Sequence, residues 1–162
     1  MRVAIGGAGN VGRSIAQELI EKGHTVLLIE REPTAVRPEW VPTAEWILAD
    51  CCEVASLQEA DLASCDVVVA ATGDDKVNLV LSLLAKTEFA VPRVVARVNR
   101  PENEWLFTEQ WGVDVAVSMP RLMVALVEEA VEVGDLVRLM TFRQAQANLV
   151  EITLPETAPY VG

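Results

Sequence analysis

The chain has 162 residues, of which 51% are hydrophobic and 23% charged, and its formal net charge at pH 7 is −11. This length suits one domain with a substantial core and a tail, but it is too short for two full domains. The acidic charge opposes nucleic-acid binding, which depends on cationic neutralisation of phosphates. The apolar runs are far shorter than the roughly 18 residues that a membrane-spanning helix needs, so direct membrane insertion is not expected.

The start of the chain and its few metal-binding residue types indicate a cytoplasmic protein. The first residues lead directly into a strand-like run, so neither a signal peptide nor a transit peptide is recognised. The three cysteines are odd in number and lack metal-ligand spacing, and His24 is the only histidine. Neither a disulfide framework nor a metal site is expected, and the thiols are interpreted as reduced and structural.

Six short apolar runs rich in β-branched residues recur along the chain. They are continuous rather than alternating, which is typical of strands covered on both faces. Segments with a helical pattern lie between most of them, so strand and helix alternate. This order predicts an α/β fold built on a doubly wound, mainly parallel six-stranded sheet. The runs occupy residues 3–5, 26–29, 46–48, 67–71, 94–98 and 113–117.

The segments between the predicted strands differ in regularity. A first helix follows the first strand and ends at Gly23. Three prolines in "REPTAVRPEWVPTAEW" limit that segment to loop with at most a turn or two of helix. Asp74 and Asp75 are placed to cap a helix over "DDKVNLVLSLLAK". In "RPENEWLFTEQWG", Pro101 and Gly112 predict the start and the end of a further helix.

Three glycines follow the first strand and open the first helix. The GxGxxG spacing alone is weak evidence, because small residues also serve helix packing, but the strand–turn–helix context makes it specific. Gly7 allows the tight turn, Gly9 lets the backbone approach a diphosphate, and Gly12 lets the helix and strand pack closely. Unpaired N–H groups near Asn10 and Val11 then attract phosphate oxygens.

Polar residues also stand where later strands end, which is the edge where open α/β sheets bind ligands. Glu30 ends the second strand, where its carboxylate can accept hydrogen bonds from ribose hydroxyls. The same charge would repel the 2′-phosphate of NADP, although the neighbouring Arg31, also a candidate binding residue, weakens that preference. Arg97 closes an apolar run, where a charge is costly unless it reaches a partner such as a phosphate.

The third and fourth predicted strands are each followed by residues that either meet the same ligand or serve only the local turn. Both interpretations stay open from the residues alone. These residues are Asp50, Cys51, Thr72 and Gly73.

Catalytic chemistry finds little support in the sequence, and no catalytic residue is predicted. His24 precedes the second strand, on the side opposite the binding edge, and no serine has a visible histidine partner. Glu128 and Glu129 are adjacent on a predicted helix and face apart. The chain after the last strand is too short for a large substrate domain. An NAD-dependent oxidoreductase fragment and a structural interaction domain with a vestigial cleft remain as alternatives.

The residues resemble a known family in a fixed order of blocks that covers nearly the whole chain. These blocks are "GAGNVGRSIAQELIEKGHTVLLIER", "AD" before a helix, "VVVAATGDDKVNL", "VVARVNRPENEWLFTEQWGVDVAVS" and "LVEITLPETAPYVG". Together they resemble the RCK, or KTN, domain of the TrkA family, whose members are cytoplasmic regulators of potassium transporters and channels. The order of the blocks is far more specific than the glycines alone.

The resemblance implies a Rossmann lobe that binds NAD(H), ATP or ADP as a regulatory ligand. It also implies a homodimer, assembly into rings, and a membrane potassium transporter or channel as partner, with the chain at the inner face of the membrane. The nucleotide contacts that it implies are Gly7, Ala8, Gly9, Asn10 and Val11 for phosphate, Glu30 for ribose, Asp50 and Cys51 near adenine, Thr72 and Gly73 beside ribose and adenine, and Arg97 for phosphate.

The end of the chain is expected to serve assembly. Residues 122–127 are apolar on every side, which predicts that a second subunit covers this helix. The resemblance implies the same. The alternative is a helix buried within one chain. The expected domains are residues 1–134, a nucleotide-binding lobe that includes this crossover helix, and residues 135–162, a linker and the first strand of an incomplete C-terminal lobe.

Overall fold

The structure is a computed structural model that describes residues 1–131, 136–142 and 147–152. Its main sheet has six parallel strands, which are β1 (Arg2–Gly6), β2 (Thr25–Glu30), β3 (Glu45–Leu48), β4 (Val67–Ala70), β5 (Arg93–Val98) and β6 (Val115–Ser118). Their order across the sheet is β3-β2-β1-β4-β5-β6. This order reverses direction at β1 and is that of the Rossmann fold.

Both faces of the sheet are buried, as the continuous apolar runs predict. Along β1, Val3 and Ile5 belong to one apolar cluster and Ala4 to the other. Because side chains alternate between the faces of a strand, a central strand covered on both sides must be apolar at every position. The predicted six-stranded, doubly wound sheet is therefore confirmed.

Four α-helices are described: α1 (Asn10–Glu21), α2 (Val54–Glu59), α3 (Asp75–Thr87) and α4 (Met119–Val131). α1 ends just before Gly23, whose φ of +83° suits glycine. Asp74 caps α3, since its carboxylate accepts the N–H of Lys76 at 2.9 Å. Both of these predicted helix boundaries are confirmed.

The predicted helix over "RPENEWLFTEQWG" is wrong in type. The segment forms two short 3₁₀ helices, Pro101–Leu106 and Glu109–Trp111. Between them Phe107 leaves helical geometry and is 1% exposed, so burial of this ring outweighs continuation of the helix. Gly112 ends the segment at φ +74°, as predicted. The proline-rich segment contains only two 3₁₀ turns, Pro33–Ala35 and Pro38–Trp40.

A separate two-stranded antiparallel sheet joins β7 (Leu136–Phe142) and β8 (Ala147–Ile152). β8 contains the predicted strand near the end of the chain, whereas β7 was not predicted. Residues 132–135, 143–146 and 153–162, which include the predicted domain boundary, lie outside the described residues. Within the described ranges no helix is long and apolar enough to cross a membrane.

Candidate functional site

A cleft of about 610 Å³ opens at the carboxyl ends of the central strands. Its volume lies within the range of small-molecule binding sites. Eleven of the twelve predicted site residues line it, which are Gly7, Gly9, Asn10, Val11, Glu30, Arg31, Asp50, Cys51, Thr72, Gly73 and Arg97. The twelfth, Ala8, does not line the cleft, because its side chain is fully buried in the core.

Each of the three positions in the turn is occupied by glycine for a different geometric reason. Gly7 has φ +95°, and a Cβ there would lie 2.9 Å from the Cα of Thr72. A Cβ at Gly12 would lie 2.0 Å from the carbonyl oxygen of Gly7, so only glycine allows α1 to approach β1 this closely. A Cβ at Gly9 would meet no atom within 4 Å. Gly9 is therefore not required by packing, and it leaves the backbone open towards the cleft.

The N-terminus of α1 opens on this cleft without a capping side chain. Gly9 is the N-cap, and no side chain hydrogen-bonds there. The first N–H groups of any α-helix lack intrahelical acceptors, and with the helix dipole they form a site that attracts anions. Gly9, Asn10 and Val11 at this end all line the cleft.

Glu30 joins the end of β2 to the glycine turn. Its Oε2 accepts the N–H of Ala8 at 2.9 Å. Its Oε1 accepts the N–H groups of Arg31 at 2.8 Å and Glu32 at 2.9 Å. A carboxylate has about four acceptor positions, so Glu30 can hold the turn and still accept a hydroxyl in the cleft.

Arg97 lines the cleft from β5 and carries one donor without a partner in the part of the chain that the structure describes. Its Nε is buried and has no hydrogen-bond partner among the described residues. Burying a guanidinium donor without an acceptor is unfavourable. An anionic ligand in the cleft would supply that acceptor, which is the chemistry predicted for this residue.

A buried amide ties the strand ends around Arg97 together. Asn78 is fully buried on α3, and its Nδ2 donates to the carbonyl oxygens of Thr72 at 3.2 Å and Arg97 at 2.9 Å. Its Oδ1 accepts from the backbone N–H of Thr72 at 2.9 Å and from the Thr72 hydroxyl at 2.7 Å. Asn78 therefore fixes β4 and β5 relative to each other at the edge of the cleft.

Asp75, one turn earlier on α3, holds the loop after β5. Its carboxylate accepts from Asn99 N–H at 2.6 Å, Asn99 Nδ2 at 2.9 Å, Arg100 N–H at 3.1 Å and Asn103 Nδ2 at 2.8 Å. Burial alone would raise the pKa of this carboxyl, but the donors from Asn103, Asn99 and Arg100 together hold the pKa below its ordinary value.

The far wall of the cleft contains the segment after β3. Arg31 and Asp50 form an ion pair at 3.8 Å, and Asp50 also accepts the N–H of Cys52 at 2.8 Å. Burial, reinforced by the nearby Cys52, Asp50 and Glu30, raises the pKa of the Cys51 thiol to about 12. Cys51 is therefore a neutral, apolar wall at pH 7, not a thiolate nucleophile.

Four further lining residues were not predicted: Ile29, Ala71, Asp74 and Val77. The supporting residues Asp75 and Asn78 were also missed as parts of the site. One signal was available, because polar residues at 75, 78 and 82 recur at helical spacing on an otherwise apolar face of α3. Within the described residues no group of three His, Cys, Asp or Glu side chains is placed to hold a metal ion.

Four features are typical of the class of nucleotide-binding α/β domains: a parallel sheet in Rossmann order, a glycine turn, an open helix N-terminus and an acidic residue that ends β2. The family model of the TrkA-N domain matches residues 3–119. The chain belongs to this family.

Comparison with individual known proteins supports membership of the same family. The chain is 64% identical over 162 residues to the Trk system potassium uptake protein TrkA of Mycobacterium tuberculosis, covering all of this chain and 74% of that protein. GsuK bound to ADP has a TM-score of 0.70 at 24% identity, covering 81% of this chain and 34% of that chain. The GsuK channel bound to NAD has a TM-score of 0.70 at 16% identity, covering 79% and 23%. These two structures show a shared fold.

Proposed function

We propose that this chain is the nucleotide-binding regulatory part of a potassium uptake system, and that its cleft binds NAD(H) or ATP/ADP as a signal. The relative in Mycobacterium tuberculosis is named as a potassium uptake protein, and two structures of the same fold are described as bound to ADP and to NAD. The partner is a membrane potassium transporter or channel subunit, and the chain acts at its cytoplasmic face. The N-terminal lobe extends to residue 134, and residues 135–162 begin a second lobe.

One observation carries the nucleotide assignment: the uncapped N-terminus of α1 lines the same cleft as Arg97, whose buried Nε lacks a hydrogen-bond partner among the described residues. Both are donors suited to phosphate oxygens. Gly9, Asn10, Val11 and Arg97 hold the phosphates, and Glu30 accepts the ribose hydroxyls. Asp50, Cys51, Thr72 and Gly73 form the wall for the nucleoside, with Arg31 at its rim.

The binding site is tested by filling the open position beside α1. Gly9→Leu should abolish ADP and NAD⁺ binding in calorimetry, because the added side chain occupies the space of the phosphates. It should leave the fold intact, since Gly9 has an ordinary φ of −68° and space for a Cβ. Glu21→Leu, an exposed position at the far end of α1, is the matched control and should bind as the wild type does. Wild-type affinity in Gly9→Leu would overturn the site.

A further inference from the structure

Trp40, in the proline-rich segment after β2, stacks on Arg13 of α1. The guanidinium carbon of Arg13 lies 4.1 Å from the centroid of the Trp40 ring, which is the geometry of a cation–π contact. Gln17 donates from Nε2 to the carbonyl oxygen of Trp40 at 3.1 Å, and the next residue, Val41, is 2% exposed. Trp40 is therefore fixed against the first turns of α1.

Arg13 in turn holds two oxygen atoms of the glycine turn. Its Nη1 donates to the carbonyl oxygen of Ala8 at 2.6 Å, and its Nη2 donates to Oδ1 of Asn10 at 2.6 Å. Arg13 itself does not line the cleft, so it contacts the turn from outside. Because a peptide unit is planar and trans, fixing the Ala8 carbonyl also fixes the Gly9 N–H, which points the opposite way.

The preceding peptide unit is held by a different side chain. Glu30 accepts the N–H of Ala8 at 2.9 Å, so the peptide units on both sides of Ala8 are fixed by side chains from two elements. Ala8 itself packs in an apolar cluster, whereas its neighbour Gly9 has open space beside it.

We propose that Arg13, held by Trp40, is a positioning residue that sets the nucleotide affinity of the cleft by fixing the peptide unit between Ala8 and Gly9. The inference rests on the proposed function and adds a residue outside the cleft to it. A donor that is already oriented binds more tightly than one that must be ordered by the ligand. The proline-rich segment thereby acts on the phosphate site without touching the ligand.

The test must separate positioning from simple attraction between a cation and an anionic nucleotide. Arg13→Lys keeps the charge but lacks the planar fork that reaches both oxygens. It should weaken ADP binding in calorimetry by about tenfold, the equivalent of one ordinary hydrogen bond. Trp40→Ala should also weaken binding, and Trp40→Phe should restore it, because a phenyl face still accepts the guanidinium.

Arg37→Ala is the matched control. Its guanidinium also lies over Trp40, 5.5 Å from the ring centroid, but its Nε donates to the carbonyl oxygen of Thr34 and not to the glycine turn. This variant should keep wild-type affinity for ADP. Wild-type affinity in Arg13→Lys overturns the proposal, and so does an equal loss in Arg37→Ala, which would indicate a general effect of charge.

Amide hydrogen exchange in the ligand-free chain separates this proposal from the proposed function. Arg13→Lys should speed exchange in residues 7–12 and leave β1 unchanged, and unchanged exchange in that turn overturns the positioning role. If the wild type binds neither ADP nor NAD⁺, the proposed function fails by itself. Faster exchange in the variant would then still support Arg13 as the residue that fixes the turn.

Discussion

Glu30 has two tasks in this cleft, and they make different demands on the carboxylate. It holds the backbone N–H groups of Ala8, Arg31 and Glu32, and it is the acidic group that a ribose would meet. The first task orients the glycine turn, and under the proposed function the second would select against a ligand with a phosphate on that ribose. A single side chain thus links the shape of the phosphate site to the choice of nucleotide.

We predict that the wild type prefers NAD(H) or ADP/ATP to NADP(H), and that Glu30→Gln weakens this preference several-fold. The physical reason is loss of charge repulsion at the 2′-phosphate. Calorimetry with NAD⁺ and NADP⁺ on both chains measures the ratio, and Glu32→Gln, at the exposed position two residues on, should leave it unchanged. Tighter binding of NADP⁺ to the wild type would contradict the prediction and would point to Arg31.

The buried Asp75 carboxylate gives the fold a defined response to acid. Its pKa is lowered in the folded state, so its stabilising effect is complete above the unfolded value near pH 4 and is lost as pH falls through the lower, folded value. Asp75→Asn should destabilise the chain by about 2 kcal/mol at pH 7, because an amide cannot accept all four hydrogen bonds.

Urea unfolding at pH 7 and below about pH 4 measures the difference in the free energy of unfolding between the wild type and Asp75→Asn. This difference should shrink in acid, because the protonated wild-type side chain loses the same interactions. Asp61→Asn is the control, since Asp61 is exposed and its φ of 51° is one that asparagine tolerates. A difference between wild type and Asp75→Asn that stays constant with pH would show that the carboxylate charge is not involved.

The geometry of the glycine turn could be predicted residue by residue because it is local. The turn at Gly7 and the contact between Gly12 and Gly7 follow from a strand, a tight turn and a helix in immediate succession. Asn78 acts across 19 residues to the Arg97 carbonyl, and such a contact depends on which strands become neighbours. Sequence spacing alone does not contain that information.

At the scale of elements, α4 exposes an apolar surface. Met123, Val124, Leu126 and Val127 are 59%, 56%, 47% and 57% exposed, whereas Ala125 is 7% exposed. The helix is attached to the lobe by an ion pair between Arg121 and Glu104 at 2.5 Å. A helix buried within one chain would cover most of these side chains, so the geometry favours a partner subunit on this face.

We predict that the chain forms a homodimer through α4, with a mass in light scattering of twice 17.6 kDa. Charged residues at Met123 and Leu126 should give a folded monomer, because they desolvate in the dimer but remain in water in the monomer. Val54→Asp, which changes a 44% exposed valine on α2, should leave the dimer intact. A wild-type mass near 17.6 kDa at micromolar concentration would contradict the prediction, and unfolding of the charged variant would indicate a core helix.

Element types were predictable where one strong pattern decided them. The continuous β-branched runs gave the six strands of the main sheet, and Asp74 marked the start of α3. The 3₁₀ segment from Pro101 differs, since the buried ring of Phe107 and the bonds from Arg100 and Asn103 to Asp75 decide its geometry. Helix start and stop signals alone could not reveal these tertiary contacts.

At the scale of the whole molecule, one small chain carries both an open cleft at the carboxyl ends of its strands and an exposed apolar helix face. The cleft is lined by the uncapped N-terminus of α1 and by Arg97, and the Cys51 thiol in its described wall is neutral at pH 7. The sheet could be predicted as parallel and doubly wound, but its strand order and the antiparallel pair β7–β8 required the structure, because pairing is decided between distant segments.

Potassium flux is the measurement that decides whether nucleotide binding in this cleft regulates potassium transport. The chain and the membrane Trk subunit of the same source are reconstituted in vesicles, and flux is measured without nucleotide and with saturating ADP or NAD⁺. We expect that one of these nucleotides changes the flux with the wild-type chain and that neither does with Gly9→Leu. Wild-type flux that is the same with and without both nucleotides would contradict it.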